Sequence, residues 1–299
     1  TEAPEFIANP QSCEWKPEQG VTISITDKGG SGVEGYKYAI TDTQTTPSTW
    51  SNIIKKSNDT IKINQDGQKY LHIITYDNAG NASKERVLGL YKIDTQKPTI
   101  SVTPEFCGWT ARQDVLVSII DAGPSGFYGY KYAVTDSKDE PSNWSDTIFK
   151  SQDTITLNTD GEKYIHLIAC DNAKNTSEKY TFGPYKIDKE APTISVTPEK
   201  CDWTNSQDIN IKINDEGQSG IVGYKYAITD SKDKPTSWSD LIKMSNDKIT
   251  IKDNGQKYFH IFAYDNANNI STDNVFGLYK IDNLKPVINY EIDLKNKVI

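Results

Sequence analysis

The sequence predicts an all-β chain of three tandem sandwich domains in an elongated arrangement. Three observations carry that expectation. One pattern recurs three times at a fixed period, and apolar residues inside each copy alternate with period two. Glycine, proline, asparagine and aspartate fill the gaps between these runs.

The period is 94 residues. Cys13, Cys107 and Cys201 are each followed two positions later by Trp15, Trp109 and Trp203. The same step links Tyr36, Tyr130 and Tyr224, then Trp50, Trp144 and Trp238, then Asp77, Asp171 and Asp265. It also links Pro4, Pro98, Pro192 and Pro286, with no insertion breaking the register. A period of 94 is too long for one turn of a solenoid and suits an independent small domain. Each copy closes on Tyr-Lys-Ile-Asp, so the expected domains are residues 1–94, 95–188 and 189–282. Residues 283–299 read as a divergent tail, the start of a following segment. Thr1 directly follows the place where such an Asp would fall, so the chain reads as a piece cut at a domain boundary of a longer protein.

Within the third copy the elements follow in order. Thr193–Thr197 reads as a first strand. Ile209, Ile211 and Ile213 alternate with Asn210, Lys212 and Asn214, as a half-buried antiparallel strand does. Further strands are expected at Gly223–Thr229, Lys248–Lys252, Lys257–Tyr264 and Val275–Ile281, and no window reads as an amphipathic helix. About seven short strands in some 94 residues is the pattern of an immunoglobulin-like β-sandwich.

Composition narrows the function classes. The 299 residues carry 33 Lys and Arg against 41 Asp and Glu, a net charge of −8, which argues against nucleic acid or anionic lipid as partner. No apolar run approaches the ~20 residues of a membrane helix, so no membrane insertion is expected of this stretch. The hydrophobic fraction is a modest 35%, yet 17 Tyr and 6 Trp are not a disordered composition. Several small cores fit these figures.

Each copy resembles the tandem bacterial immunoglobulin-like repeats of Gram-positive cell-surface and secreted proteins. The residues that carry the likeness are Trp203-Thr204-Asn205 leading into Asp208-Ile209-Asn210-Ile211, Ser219-Gly220 before Tyr224-Lys225-Tyr226, and Trp238. Gly255 with Tyr258-Phe259-His260 follows, then Asp265-Asn266-Ala267-Asn268-Asn269 and Tyr279-Lys280-Ile281-Asp282. Copy one has the more typical Asp77-Asn78-Ala79-Gly80-Asn81. The resemblance implies an extracellular or wall-attached location, with neighbouring domains of a longer chain as partners. It specifies architecture and leaves function open, because such repeats serve adhesins, cell-wall enzymes and S-layer proteins alike. The cysteine ahead of each first tryptophan is not part of that pattern.

Candidate sites carry two readings each. Asp27, Asp121 and Asp215 precede Gly- and Ser-containing turns; Asp77, Asp171 and Asp265 open the turn after the sixth strand; Asp94, Asp188 and Asp282 sit at the junctions. Calcium takes six to eight oxygens, which acidic loops at a junction could supply, and no other cofactor is implied. Asp and Asn also make tight turns without any metal. Trp50, Trp144 and Trp238 lie in polar loops, either as platforms for a glycan or protein ligand or folded back over a sheet edge. Trp15, Trp109 and Trp203 are expected to close one end of each core.

His72, His166 and His260 occupy one position, which strand parity points outward beside Tyr70 and Tyr76. No catalytic partner accompanies them, and everything distinctive recurs in triplicate, whereas an active site is built once. No catalytic residue is expected. A Cys107–Cys170 disulfide is disfavoured, because the two are expected near opposite ends of the sandwich. Asn81, Asn175 and Asn269 fit a glycosylation acceptor pattern but read as turn residues. The sequence thus favours a non-catalytic stalk or spacer that projects a functional domain. The alternative is a multivalent adhesin or carbohydrate-binding module using repeated aromatics.

Overall fold

A computed structural model describes residues 2–289. Twenty-one strands and no helix make up the described chain, grouped as six sheets in three sandwich-like domains of seven strands each. By compactness the chain divides into two units. The first holds Thr1–Phe106, Asp114–Ile155 and Tyr164–Gly183; the second holds Cys107–Gln113, Thr156–Lys163 and Pro184–Ile299.

The first repeat shows why the residues fold this way. Its strands are β1 (Glu5–Asn9), β2 (Cys13–Lys16), β3 (Gln19–Thr26), β4 (Val33–Thr41), β5 (Asn58–Ile63), β6 (Gly67–Asp77) and β7 (Arg86–Ile93). β1, β3 and β5 form a three-stranded sheet, and β2, β7, β6 and β4 a four-stranded one. In β3, Val21, Ile23 and Ile25 are buried while Thr22, Ser24 and Thr26 are exposed, the period-two pattern of a sheet with one wet face. They pack with Leu71, Ile73, Tyr91 and Ile93 of the facing sheet in one core. Burying each such side chain fully is worth about 1.5–3 kcal/mol.

The second repeat runs β8 (Thr99–Thr103), β9 (Cys107–Thr110), β10 (Gln113–Ile120), β11 (Phe127–Thr135), β12 (Gln152–Leu157), β13 (Gly161–Asp171) and β14 (Tyr180–Ile187). The third runs β15 (Thr193–Thr197), β16 (Cys201–Thr204), β17 (Gln207–Asn214), β18 (Ile221–Thr229), β19 (Asn246–Ile251), β20 (Gly255–Asp265) and β21 (Asn274–Ile281). Both repeat the sheet orders of the first.

The second strand of each copy (β2, β9 and β16) is the Cys-x-Trp segment, which the alternation does not announce. It is four residues long, lies parallel to the last strand, and its register is broken between Cys13 and Lys16 and again between Cys201 and Thr204. The tryptophans here do not close the core as expected. Trp203 is 59% exposed, and Trp109 lies under the Lys186 ammonium, 5.7 Å from ring centre to nitrogen. It is Cys13 and Cys201 that pack against the core. The four cysteines are free, including Cys107 and Cys170.

Buried tyrosines replace those tryptophans as the large core residues. Tyr36 donates its hydroxyl to Asp59 Oδ2 at 2.8 Å, and Tyr224 donates to Asp247 Oδ2 at 2.5 Å. Tyr91 and Tyr279 donate to the carbonyls of Pro10 and Pro198 at 2.8 and 2.7 Å. A phenol can fill a core only if its polar end finds such a partner. Of the divergent tail, residues 283–289 carry no strand, and the rest lies outside the described residues.

Candidate metal centre

The loops at one end of each sandwich bring the singled-out aspartates together. In the second repeat, carboxylate oxygens of Asp94, Asp121 and Asp171 lie within 4.8 Å of one another; in the third, those of Asp188, Asp215 and Asp265 do the same. Each triad draws one acid from the chain just after the last strand of the preceding repeat, one from the turn after the third strand, and one from the end of the sixth. Asp94 and Asp188 are fully buried, as are Asp171 and Asp265.

Backbone donors hold the junction acid in place. Asp94 Oδ1 accepts from the Gln96 amide at 3.0 Å and Oδ2 from the Ser125 amide at 2.9 Å. Asn175 Nδ2 donates to the Asp94 carbonyl at 2.8 Å. The third repeat copies this set: Glu190 and Ser219 amides donate to Asp188 at 3.0 and 2.8 Å, and Asn269 Nδ2 to its carbonyl at 2.8 Å. Asn175 and Asn269 also bind Asp171 and Asp265 through backbone and side chain, all at 2.7–2.8 Å. These asparagines are structural turn residues, as the sequence suggested.

The two triads differ at one oxygen. Asp215 Oδ1 accepts from the Gly217 amide and Oδ2 from the Gly220 amide, at 3.1 and 2.7 Å. Asp121 Oδ1 accepts from Gly123 at 3.3 Å, but its Oδ2 is buried with no hydrogen-bond partner. Burial, together with the charges of Asp94 and Asp171, pushes the Asp121 carboxyl above its ordinary range. Burial and then Asp94 do the same for Asp171, against the pull of Asn175.

The first repeat has the corresponding pair, Asp27 and Asp77, among the described residues. There the Gly29 amide holds Asp27 below the ordinary range, and the Asn81 side chain does so for Asp77. Asp282 donates its backbone N–H to the Thr204 carbonyl at 2.8 Å, and its Oδ1 accepts from Leu284 at 3.0 Å. It joins no cluster among the described residues. Three converging carboxylates, with one unpartnered oxygen in the second repeat, offer hard oxygen donors of the kind that calcium takes.

The tryptophan loops sit on the four-stranded sheets. The stretch after Trp50 runs along β4: the Ser51 amide donates to the Tyr38 carbonyl at 2.9 Å, and Tyr36 and Ile54 exchange backbone hydrogen bonds at 3.1 and 2.8 Å. Gly35 permits that approach, since a Cβ there would fall 2.1 Å from the Ile54 carbonyl oxygen. The loop thereby covers an edge strand that would otherwise be open. Trp50 and Trp238 stand edge-on to His72 and His260, at 6.3 and 6.4 Å between ring centres. Trp50, Trp144 and Trp238 are all partly exposed.

The histidines correct the expectation of a surface position. Parity does place them on the outer face of the sheet, with Leu71 and Ile73 inward. Yet His72, His166 and His260 are 0%, 2% and 0% exposed, because the loop closes over them. The signal for this burial was present in the tryptophan of the neighbouring polar loop.

No protein-family model matches this chain, and no curated protein matches it. Solved structures of similar fold are found. Fibronectin(III)-like modules of Clostridium thermocellum CbhA align over 61% of this chain and 94% of theirs, at 15% identity and a TM-score of 0.32. The three N-terminal domains of the outer capsid protein Hoc of bacteriophage RB49 align over 94% of this chain and 99% of theirs, at 10% identity and 0.38. The Escherichia coli adhesin FdeC aligns over 91% and 96%, at 13% identity and 0.35. The class that the sheets define is a chain of tandem immunoglobulin-like sandwiches.

Proposed function

We propose that the chain is a semi-rigid spacer in a bacterial surface or secreted protein, carrying a functional domain away from its anchorage. One observation carries this reading: the last acid of one repeat is buried in the loops of the next. Asp94 and Asp188 each accept two backbone amides there, and each backbone carbonyl accepts an asparagine side chain. A linker of a few residues whose first member is so fixed has little freedom to swivel. Calcium in the triads would add to this, since a divalent ion offsets the mutual repulsion of three carboxylates. Asp94, Asp121 and Asp171 would hold one ion, and Asp188, Asp215 and Asp265 another.

Small-angle scattering of the whole chain tests the spacer. Domains of ~40 Å each should give a maximum dimension of about 120 Å, set by strand length plus end loops. A compact profile, or one that requires freely rotating beads, overturns the proposal. Titration calorimetry with calcium after chelator treatment tests the ions: two sites are expected, one lost in Asp121→Asn and the other in Asp215→Asn.

A second reading rests on Trp50, Trp144 and Trp238, which present a partly exposed indole from the same loop in every repeat. Three such copies suit weak, multivalent attachment to a glycan or protein ligand. A glycan array probed with the whole chain and with a Trp50, Trp144 and Trp238 triple alanine variant decides: binding that the variant retains rules the tryptophans out.

A further inference from the structure

The tryptophan loop is closed over a buried histidine in all three repeats, but the three histidines are bonded differently. On the Nε2 side they agree. Thr41 Oγ1 donates to the Thr43 carbonyl at 2.6 Å, so its only proton is used, and His72 Nε2 lies 2.8 Å from that hydroxyl and 3.2 Å from the same carbonyl. Thr135 with Ser137 around His166, and Thr229 with Ser231 around His260, repeat this arrangement. Two oxygens acting as acceptors require a proton on Nε2 in every copy.

The Nδ1 side differs. His72 Nδ1 lies 2.6 Å from Glu85 Oε1, and Glu85 Oε2 accepts from Thr46 Oγ1 at 2.7 Å. A carboxylate already accepting at one oxygen calls for a second ring proton, which makes His72 an imidazolium. His166 Nδ1 instead faces Thr181 Oγ1 at 3.0 Å, a hydroxyl that can donate to a neutral ring. At the same position the third repeat has Val275, and His260 Nδ1 is buried without a partner.

The loop anchors differ accordingly. Glu85 and Thr46 correspond, 94 residues on, to Lys179 and Glu140, which form an exposed ion pair. In the third repeat they correspond to Asp273 and Lys234, with no ion pair between them among the described residues. Of the charged groups around His72, Asp42 is taken by Lys69 at 2.5 Å, and Arg86 turns to the Phe6 carbonyl at 3.2 Å. Glu85 is the acid that reaches the ring. Its carboxyl is held below the ordinary range by the Thr46 hydroxyl and then by His72.

We propose that the His72–Glu85–Thr46 chain is a proton-dependent clasp on the Trp50 loop of the first repeat, whereas the equivalent loops are held by neutral histidines. The clasp is engaged while His72 Nδ1 and Glu85 share a proton across their 2.6 Å contact, and it is lost when the Glu85 carboxylate is removed. Closure over His166 and His260 does not depend on ring protonation.

Imidazole nitrogen NMR of the whole chain tests this, because the protein has only three histidines. At neutral pH, His72 should show both nitrogens protonated, and His166 and His260 one protonated Nε2 and one bare Nδ1. Glu85→Gln, which keeps the side chain's shape, should convert His72 to the pattern of the other two and increase exchange of the Trp50 indole proton. Its effect on the Trp144 and Trp238 indoles should be nil. A neutral His72 at neutral pH overturns the proposal, as does an unchanged His72 spectrum in the Glu85→Gln variant. Glu85→Asp, which shortens the reach, should give an intermediate loss of the imidazolium signal.

Discussion

Gly123 stands against Asp94 so closely that a Cβ on it would fall 2.2 Å from the carboxylate oxygen. The third repeat reproduces this with Gly217 and Asp188, again at 2.2 Å. The corresponding Gly29 would place its Cβ 3.2 Å from Asp27 Oδ1 instead. Absence of a side chain at this turn is therefore what admits the acid of the preceding repeat.

Gly123→Ala and Gly217→Ala should each cost about 1–3 kcal/mol, the usual toll of overpacking, and should expel the junction acid. Gly29→Ala should cost less. Urea titrations followed by domain-resolved NMR measure the difference, and equal losses at all three glycines contradict the junction assignment.

Carboxyl titration should separate Asp121 and Asp171 of the second repeat from the lone pair of the first. In metal-free solution Asp121 and Asp171 should protonate above the ordinary value of 3.8, and Asp27 and Asp77 below it. The sign follows from linkage. A raised folded value gives stability that is full below 3.8 and is lost as pH rises through the folded value. A lowered one gives stability present above 3.8 and lost as pH falls. Calcium should abolish the upward shift of Asp121, and carbon-13 carboxyl shifts report all four groups.

Burial and the Asp247 partner push the Tyr224 phenol far above its usual range, so it stays a donor at any accessible pH. Tyr224→Phe should cost about 1 kcal/mol, since Asp247 keeps the Lys248 amide at 2.7 Å. Asp247→Ala should cost more, about 1–3 kcal/mol, because it leaves a buried hydroxyl unpaired. Thermal unfolding of both variants shows whether the order holds.

Val275→Thr should supply His260 Nδ1 with the donor that Thr181 gives His166, raising stability by about 1 kcal/mol. Thr181→Val is the mirror change and should lower it by a similar amount. If the two variants shift chemical denaturation in the same direction, the neutral-ring assignment fails.

Strands were legible wherever one face is wet. Ile209, Ile211 and Ile213 announced β17, and Thr193–Thr197 agrees with β15 to the residue. The Cys201–Thr204 strand was not, because four residues paired in parallel at an edge leave no alternation to read. Every member of the triads was singled out individually for its charge and turn context. Their convergence was hidden, since Asp94, Asp121 and Asp171 come from three loops that only the folded sandwich brings together. The histidines show the opposite failure: parity placed them on the correct face, but a covering loop contributes to burial without leaving a periodic signature.

The burial of Asp94 also shifts the boundary of inheritance in this chain. Similarity alone divides the text after Tyr-Lys-Ile-Asp, yet the Asp completes the loops of the copy that follows it. A sandwich transplanted from Thr95 onward would bring the socket and leave the plug behind. Duplicating, swapping or excising one bead cleanly therefore means cutting one residue earlier, between Ile93 and Asp94, so that each copy travels with the acid it encloses.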